Sequence, residues 1–144
     1  MFYISVLIAV FGIFAAIIKK REVPESISEM IYVFHNKVFV LWVAAVSFLM
    51  TPLLIKSTGL LGGIIALSLF GIAASSAFKK ELTTFHYVCG YIVALVTTIA
   101  VFVFSPWLFL IWVIYFIAMI ANTPSSWLFW AEMVLYLQII LINI

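Results

Sequence analysis

Three titratable side chains within or beside the apolar segments of the chain have the chemistry to bind a ligand or move a proton. Glu132 lies in the segment SWLFWAEMVLYLQ, His86 lies in TTFHYVCGY, and His35 precedes a long apolar run. A charged carboxylate in lipid costs about 2.5–3.5 kcal/mol, so Glu132 should face the protein interior, find a partner or take up a proton. We therefore expect His86 and Glu132, with His35 nearby, to line one polar pocket.

Each of these side chains also has a structural interpretation. Glu132 as a protonated acid would hydrogen-bond to a hydroxyl or a carbonyl, or its side chain would reach the membrane interface beside Trp127 and Trp130. His86 would be an interfacial histidine stabilised at a helix start, and His35 would be a solvated loop residue. The residue types alone leave these alternatives open.

Other chemistries lack a second signal in the sequence. Two histidines can ligate a haem, and Ser26 or Ser28 could pair with a histidine as a nucleophile, but no nucleophile-elbow motif or placed oxyanion donor accompanies them. The single cysteine, Cys89, excludes an internal disulfide, and no Cys/His cluster has metal-ligand spacing. The net charge of +2 is too small and scattered for nucleic-acid binding. We predict no cofactor, no metal and no nucleic-acid partner.

The elements that position these residues follow from the composition. Of the 144 residues, 68% are hydrophobic and only 8% are charged. Soluble domains are about half apolar and about a quarter charged. A chain this short cannot bury so much apolar surface in a soluble core. The composition therefore indicates an integral membrane protein, with the lipid bilayer as its first partner.

The apolar runs predict an all-α, polytopic helical bundle of about six transmembrane helices in one domain, residues 1–144. Their bounds are about 2–18, 38–55, 59–78, 85–104, 107–121 and 127–142. We predict helices for these runs because the alternating pattern of a β-barrel's strands is missing. In lipid, the backbone amides and carbonyls must also hydrogen-bond to each other, which a helix achieves. The first run lacks a signal peptide's positive n-region, so we interpret it as a retained span. The fifth run is short, and a re-entrant hairpin is the alternative there.

The basic residues predict the orientation of the helices. Lys19, Lys20, Arg21 and Lys37 lie in the first loop, Lys56 in the second, and Lys79 and Lys80 in the third. The positive-inside rule then places the first and third loops in the cytoplasm and both termini on the non-cytoplasmic side. The second, fourth and sixth helices enter from the cytoplasm, so His35, His86 and Glu132 all belong to the cytoplasmic half.

The first loop has the pattern of a short interfacial helix over about residues 27–35. Ser26 and Glu29 fit a capping box, in which each side chain serves a free backbone amide. One apolar helical face follows, made of Ile27, Met30, Ile31 and Phe34. This helix would lie in the cytoplasmic interface, or it would be the start of a long second helix.

Small residues predict which helices pack closely, because they let helix backbones approach each other in lipid. The third span carries Gly59, Gly63, Gly71 and Ser75 at multiples of four, and the fourth carries Gly90 and Ala94. These two helices are the predicted centre of the bundle.

Several short motifs occur in a recognisable order. Pro24 to Ser28 with Tyr32, a second span containing Trp42, a Gly/Ala-rich third span and His86-Tyr87 cover about residues 23–106. Together they resemble a group of small, uncharacterised multi-pass membrane proteins from Bacteroidetes-type bacteria and their phages, which share SIS-x-x-x-Y and HY signatures. Those relatives often carry a further aromatic residue beside the tyrosine and a proline–aromatic step after the third span, both missing here. The resemblance implies a bacterial inner-membrane setting.

We expect a protein without a classical enzyme active site that binds a lipid, a small molecule or a partner protein. A proton-coupled transporter or a membrane-embedded enzyme using His86 and Glu132 is the first alternative. A homo-oligomeric channel-like assembly, joined through the small residues of the third span, is the second. The candidate pocket residues are His86, Glu132, His35, Ser26, Ser28 and Tyr32.

Overall fold

The computed structural model describes residues 2–78, 84–121 and 125–143, and within these ranges all regular structure is helical. The helices are α1 (Phe2–Lys20), α2 (Met30–Val33), α3 (Asn36–Thr58), α4 (Leu60–Phe78), α5 (Thr84–Phe104), α6 (Phe109–Ala121) and α7 (Trp127–Leu141). A 3-10 turn, Pro106–Leu108, precedes α6. The all-α prediction is confirmed for the described residues. The third loop with Lys79 and Lys80, which served the orientation argument, lies outside them.

Four of the described helices, α1, α3, α4 and α5, are long and apolar enough to cross a membrane. Helices α6 and α7 are equally apolar but have only 13 and 15 residues. At 1.5 Å per residue they span roughly 20 Å, whereas the hydrocarbon core of a bilayer is about 30 Å thick. A count of six spans therefore depends on how α6 and α7 sit in the bilayer.

The core of the bundle is centred on α3, which packs along α1 and α4, while α4 packs along α5. Val46, Met50 and Leu54 of α3 are buried together with apolar residues of the neighbouring helices. Two polar contacts tie α1 to α3, because Ser5 donates to the Val46 carbonyl and Trp42 donates to the Ile8 carbonyl. Helices α1, α3 and α4 thus pack side by side, α5 packs on α4, and α7 contacts α5 and α6.

Only some of the small residues mark close helix approach. A Cβ at Gly71 would lie 2.5 Å from the Cys89 sulfur, so α4 and α5 approach closely there. In the described part of the chain, nothing lies within 4 Å of a Cβ at Gly63 or Gly90, so neither is a point of close packing. Gly59 ends α3 with a φ of 58°, and its role is this left-handed turn conformation rather than helix packing. Ala94 is half-buried.

The first loop folds back onto the bundle, and its helix is shorter than predicted. Helix α2 has four residues instead of the expected span 27–35, because Phe34 is extended and ends it. A turn of i→i+3 hydrogen bonds that starts at Ser26 precedes it. The Ser26 hydroxyl accepts from the Glu29 amide at 3.0 Å, as a capping box requires, but the Glu29 carboxylate accepts from the amide of Glu25 at 2.6 Å.

Candidate functional site

The loop before α2 is docked on the start of α7. The Phe129 amide donates to the Glu25 carbonyl at 2.8 Å. One helical turn further along α7, the Glu132 carboxylate accepts hydrogen bonds from the amides of Ile27 and Ser28. These amides belong to the turn that leads into α2 and have no intrahelical acceptor, so a carboxylate from another helix caps them. The cap fixes the backbone on both sides of Ser28.

His86 connects the same loop to α4 and α5. It is the third residue of α5 and only 3% exposed. Its Nε2 lies 2.9 Å from the Ser28 hydroxyl, and its Nδ1 lies 3.1 Å from the Ser75 hydroxyl and 3.4 Å from that of Ser76. Ser28 is therefore shared, because its amide faces Glu132 and its hydroxyl faces His86.

A cavity of about 160 Å³ begins at this junction and runs between the helices. Ser28 and Glu132 form a polar end, Ser47 and Tyr136 add hydroxyl groups to the wall, and the rest is apolar. Gly90 also lines it, and the open space beside its Cα is part of this cavity. The remaining lining residues are Ala9, Ile13, Ile27, Phe39, Trp42, Val43, Val46, Leu69, Ile72, Val93, Leu135 and Ile139.

The candidate residues from the sequence separate into two groups. Ser28, His86 and Glu132 come together, although the expected His86–Glu132 pair is bridged through Ser28. His35 is an exposed N-cap of α3 whose Nδ1 accepts from the Lys37 amide at 3.4 Å. It lies outside the pocket because its ring is used by its own helix start.

Two further candidates have other places. Tyr32 is 60% exposed on α2 and does not line the cavity. Ser26 is buried, but its hydroxyl serves as the cap of the α2 turn. Neither is therefore a pocket residue, since each side chain points away from the cavity or is engaged in local structure.

The sequence interpretation missed the partners of His86 on α4. In the sequence Ser75 has the pattern of a small packing residue, and Ser76 belongs to no motif. The signal was available, because a Ser-Ser pair near the end of one apolar helix faces a histidine at the start of the next. When two consecutive helices pack antiparallel, the end of the first and the start of the second lie side by side.

A second groove lies between α6 and α7, and apolar residues such as Ile114, Met119 and Leu137 line it. It is more open than the inner cavity, and its apolar lining matches the lipid-facing side of a helix pair. Among the described residues, no three His, Cys, Asp or Glu side chains are grouped to hold a metal ion. The chemistry-bearing residues are thus those at the polar end of the inner cavity.

The chain matches no protein-family model, and neither curated proteins nor solved structures give a significant match.

Proposed function

We propose that this protein is a six-helix bacterial inner-membrane protein that binds the apolar chain of a lipid or of a similar amphipathic molecule in the inner cavity. The observation that carries the proposal is the cavity itself, whose lining is mostly apolar, with Ser28 and Glu132 together at its polar end. Binding sites for small amphipathic molecules have this character, with many apolar contacts and a few polar groups that fix orientation.

The size of the cavity limits what it holds. A dry apolar cavity of about 150 Å³ is large enough for benzene, so 160 Å³ accommodates a segment of a few methylene groups. A longer chain has to leave through an open side of the cavity. Each buried methylene contributes about 0.8 kcal/mol, so a segment of four contributes about 3 kcal/mol.

The polar end selects the head group. Glu132 accepts from two amides there, and the hydroxyl of Ser28 lines the same part of the cavity. These groups favour a neutral head group with hydroxyl or ester groups, as in a monoacylglycerol.

The membrane setting is part of the same proposal. The basic residues of the first and third loops favour cytoplasmic placement of these loops, with both termini on the other side. The polar end of the cavity then opens near the cytoplasmic interface. The resemblance of the SIS-x-x-x-Y and HY motifs to bacterial multi-pass proteins supports the inner membrane as the location.

Photo-crosslinking tests this function with a monoacylglycerol that carries a diazirine in its acyl chain. In the full-length protein in detergent, we expect crosslinked peptides from α3 and α5. Gly90→Leu fills the cavity and should reduce this crosslinking about ten-fold, because roughly two methylene sites are lost at ~0.8 kcal/mol each.

Gly63→Leu is the matched control, since a side chain there also meets open space but does not line the cavity. It should leave crosslinking unchanged. Equal crosslinking in both variants, or crosslinks confined to the outer faces of the helices, would contradict the proposal.

A further inference from the structure

Helices α5 and α7 run side by side in the same direction and are joined near both ends. Near their starts, His86 of α5 and Glu132 of α7 both contact Ser28, whose hydroxyl lies 2.9 Å from His86 Nε2 and whose amide donates to the Glu132 carboxylate. Near their far ends, Gln138 of α7 donates to the carbonyl of Leu108, just beyond α5, at 3.2 Å. The packing between these two joints decides whether the helices close the inner cavity.

The side of α7 that faces α5 becomes more exposed towards the start of the helix. Gln138 marks this side, and residues three and four positions apart share one face of a helix. The face therefore runs back from Gln138 through Leu135 and Ala131 to Leu128. Gln138 is fully buried, Leu135 and Ala131 are half-buried, and Leu128 is 42% exposed. The packing that covers Gln138 is therefore lost before Leu128.

The matching side of α5 shows the same change. Phe85 and Cys89 mark the contact with α4, because both lie beside Gly71. Each further residue turns a helix by about 100°. Gly90 therefore lies round the helix from the α4 contact, on the side that lines the inner cavity together with Leu135 of α7. On this side, exposure rises from the far end of the helix to its start, in the order Thr97 (fully buried), Ala94 and Gly90 (half-buried) and Tyr87 (50% exposed).

The two faces leave a gap between α5 and α7, which we call the side window. Gly90 and Ala94 form its edge on α5, and Ala131 and Leu135 form its edge on α7. Among the described residues, nothing lies within 4 Å of a Cβ at Gly90. Gly90 and Leu135 line the inner cavity and are also half-buried from outside. The cavity therefore reaches the outer surface of the bundle through this window.

The volume of the cavity makes such an opening necessary for a lipid ligand. At about 160 Å³ the cavity holds only a few methylene groups, so the greater part of an acyl chain has to lie outside it. Tyr87, Tyr91 and Leu128 are exposed on the outer surface beside the window. A chain that leaves here meets apolar side chains and the hydrocarbon of the bilayer, where its methylene groups stay out of water.

We propose that the inner cavity takes its ligand sideways from the bilayer through the side window, and that the rest of the ligand stays in the membrane along α5 and α7. The inference rests on the proposed function, because the inserted segment occupies the same cavity. It narrows the ligand to a membrane-resident lipid. A neutral two-chain lipid such as a diacylglycerol is accepted as well as a monoacylglycerol, since its second chain remains outside.

Two monoacylglycerol probes test the route in the full-length protein in phosphatidylcholine vesicles. One carries its diazirine close to the ester and the other at the end of the acyl chain, and peptide mass spectrometry locates the crosslinks. We expect the first probe to label the cavity walls on α3 and α5. The second should label the outer surface beside the window, at Tyr87, Tyr91 or Leu128. Excess monoacylglycerol or diacylglycerol should suppress both labels, whereas label at Phe11, on the outer face of α1, should not respond to competition.

Ala131→Phe narrows the window without filling the cavity, because Ala131 is half-buried and does not line the cavity. It should reduce the competed label from the chain-end probe about ten-fold, since the chain and the ring cannot share the gap without overpacking. Ala74→Phe is the matched control, because this alanine is exposed on α4 and likewise does not line the cavity. Its labelling should equal that of the wild type.

The outcomes separate the route from the binding function. If the ester-side probe labels the cavity but the competed chain-end label stays inside it or appears on α1, the window is overturned and binding stands. Equal chain-end labelling in wild type and a folded Ala131→Phe also overturns the window. If monoacylglycerol competes and diacylglycerol does not, the second chain is not accommodated outside. If neither probe gives competed label in the cavity, the binding function fails and the route fails with it.

Discussion

The carboxylate of Glu132 accepts a hydrogen bond from the backbone amide of Ile27, 105 residues earlier in the chain. This contact closes the bundle by joining α7 to the loop between α1 and α2. It explains why an acidic residue is kept within an apolar helix, because the loop amides would otherwise be buried without an acceptor. The same contact places Ser28 against His86, so the structural role of Glu132 and the formation of the site are one feature.

Glu132→Ala should destabilise the folded protein. The change leaves the Ile27 and Ser28 amides without their acceptor, and each unsatisfied buried group costs about 1–3 kcal/mol. Hydrogen exchange at these two amides measures the effect directly and should become faster. Glu132→Gln keeps one carbonyl oxygen and should lose less stability. Unchanged exchange in Glu132→Ala would show that the carboxylate does not cap the loop.

The sequence was sufficient for some parts of this site and not for others. Glu132 and His86 could be identified because polar groups are costly in lipid and must face the protein. The position of the first loop could not be predicted, because the cap that joins Ser28 to α7 is a contact between residues far apart in sequence. The pattern that suggested a helix over 27–35 is local, and the extended conformation of Phe34 ends α2 after one turn. For the same reason the sequence could not separate Ser28, which lines the cavity, from His35 and Tyr32, which lie outside it.

The small-residue pattern shows the same limit. Small residues at multiples of four show which face of a helix allows close approach, but they do not show which residues pack against that face. Gly71 meets Cys89, whereas Gly90 borders the cavity. Glycine at a packing contact and glycine at a binding cavity have the same signature in sequence.

Stability should depend on pH through Glu29, which lies in the loop outside the spans. Burial alone would raise the pKa of Glu29, but hydrogen bonds from Lys20 and the Glu25 amide lower it below the ordinary 4.5. A lowered folded-state pKa stabilises the folded form above the unfolded pKa, and this contribution is lost as pH falls through the folded value. The unfolding temperature should therefore drop on acidification below about pH 4.5.

Glu29→Gln should make the drop in the unfolding temperature smaller and should lower the unfolding temperature at neutral pH. Glu22→Gln is the control, because this glutamate also pairs with Lys20, at 3.3 Å, but is mostly exposed. Its pH dependence should match the wild type. If the unfolding temperature of Glu29→Gln fell with pH as much as that of the wild type, other groups would be responsible for the loss of stability in acid.

A buried glutamine holds α7 to the turn before α6. Gln138 is fully buried, accepts from Trp112 at 3.0 Å and donates to the Leu108 carbonyl at 3.2 Å. Trp112→Phe removes the donor and leaves the glutamine oxygen unpaired, which should cost about 1–3 kcal/mol. Thermal unfolding in detergent measures this. Trp107→Phe, at a tryptophan that is 61% exposed, should be close to neutral.

The contact between Gly71 and Cys89 should behave as a coupled pair. A Cβ at Gly71 would lie 2.5 Å from the Cys89 sulfur and 3.6 Å from its Cβ, so the sulfur is the obstacle. Gly71→Ala should therefore cost about 1–3 kcal/mol by overpacking. In a Cys89→Ala background the sulfur is gone, and the same substitution should cost much less. The double-mutant cycle, measured by unfolding in detergent, gives the coupling.

Gly63→Ala controls this cycle on the same helix. Its Cβ meets open space among the described residues, and alanine favours a helix over glycine by about 0.5–1 kcal/mol. It should be neutral or slightly stabilising in both backgrounds. If Gly71→Ala were equally harmless in the wild-type background, α4 and α5 would not approach each other at this point. The start of α5, and with it His86, would then lie further from Ser75 than the 3.1 Å that orients the histidine ring.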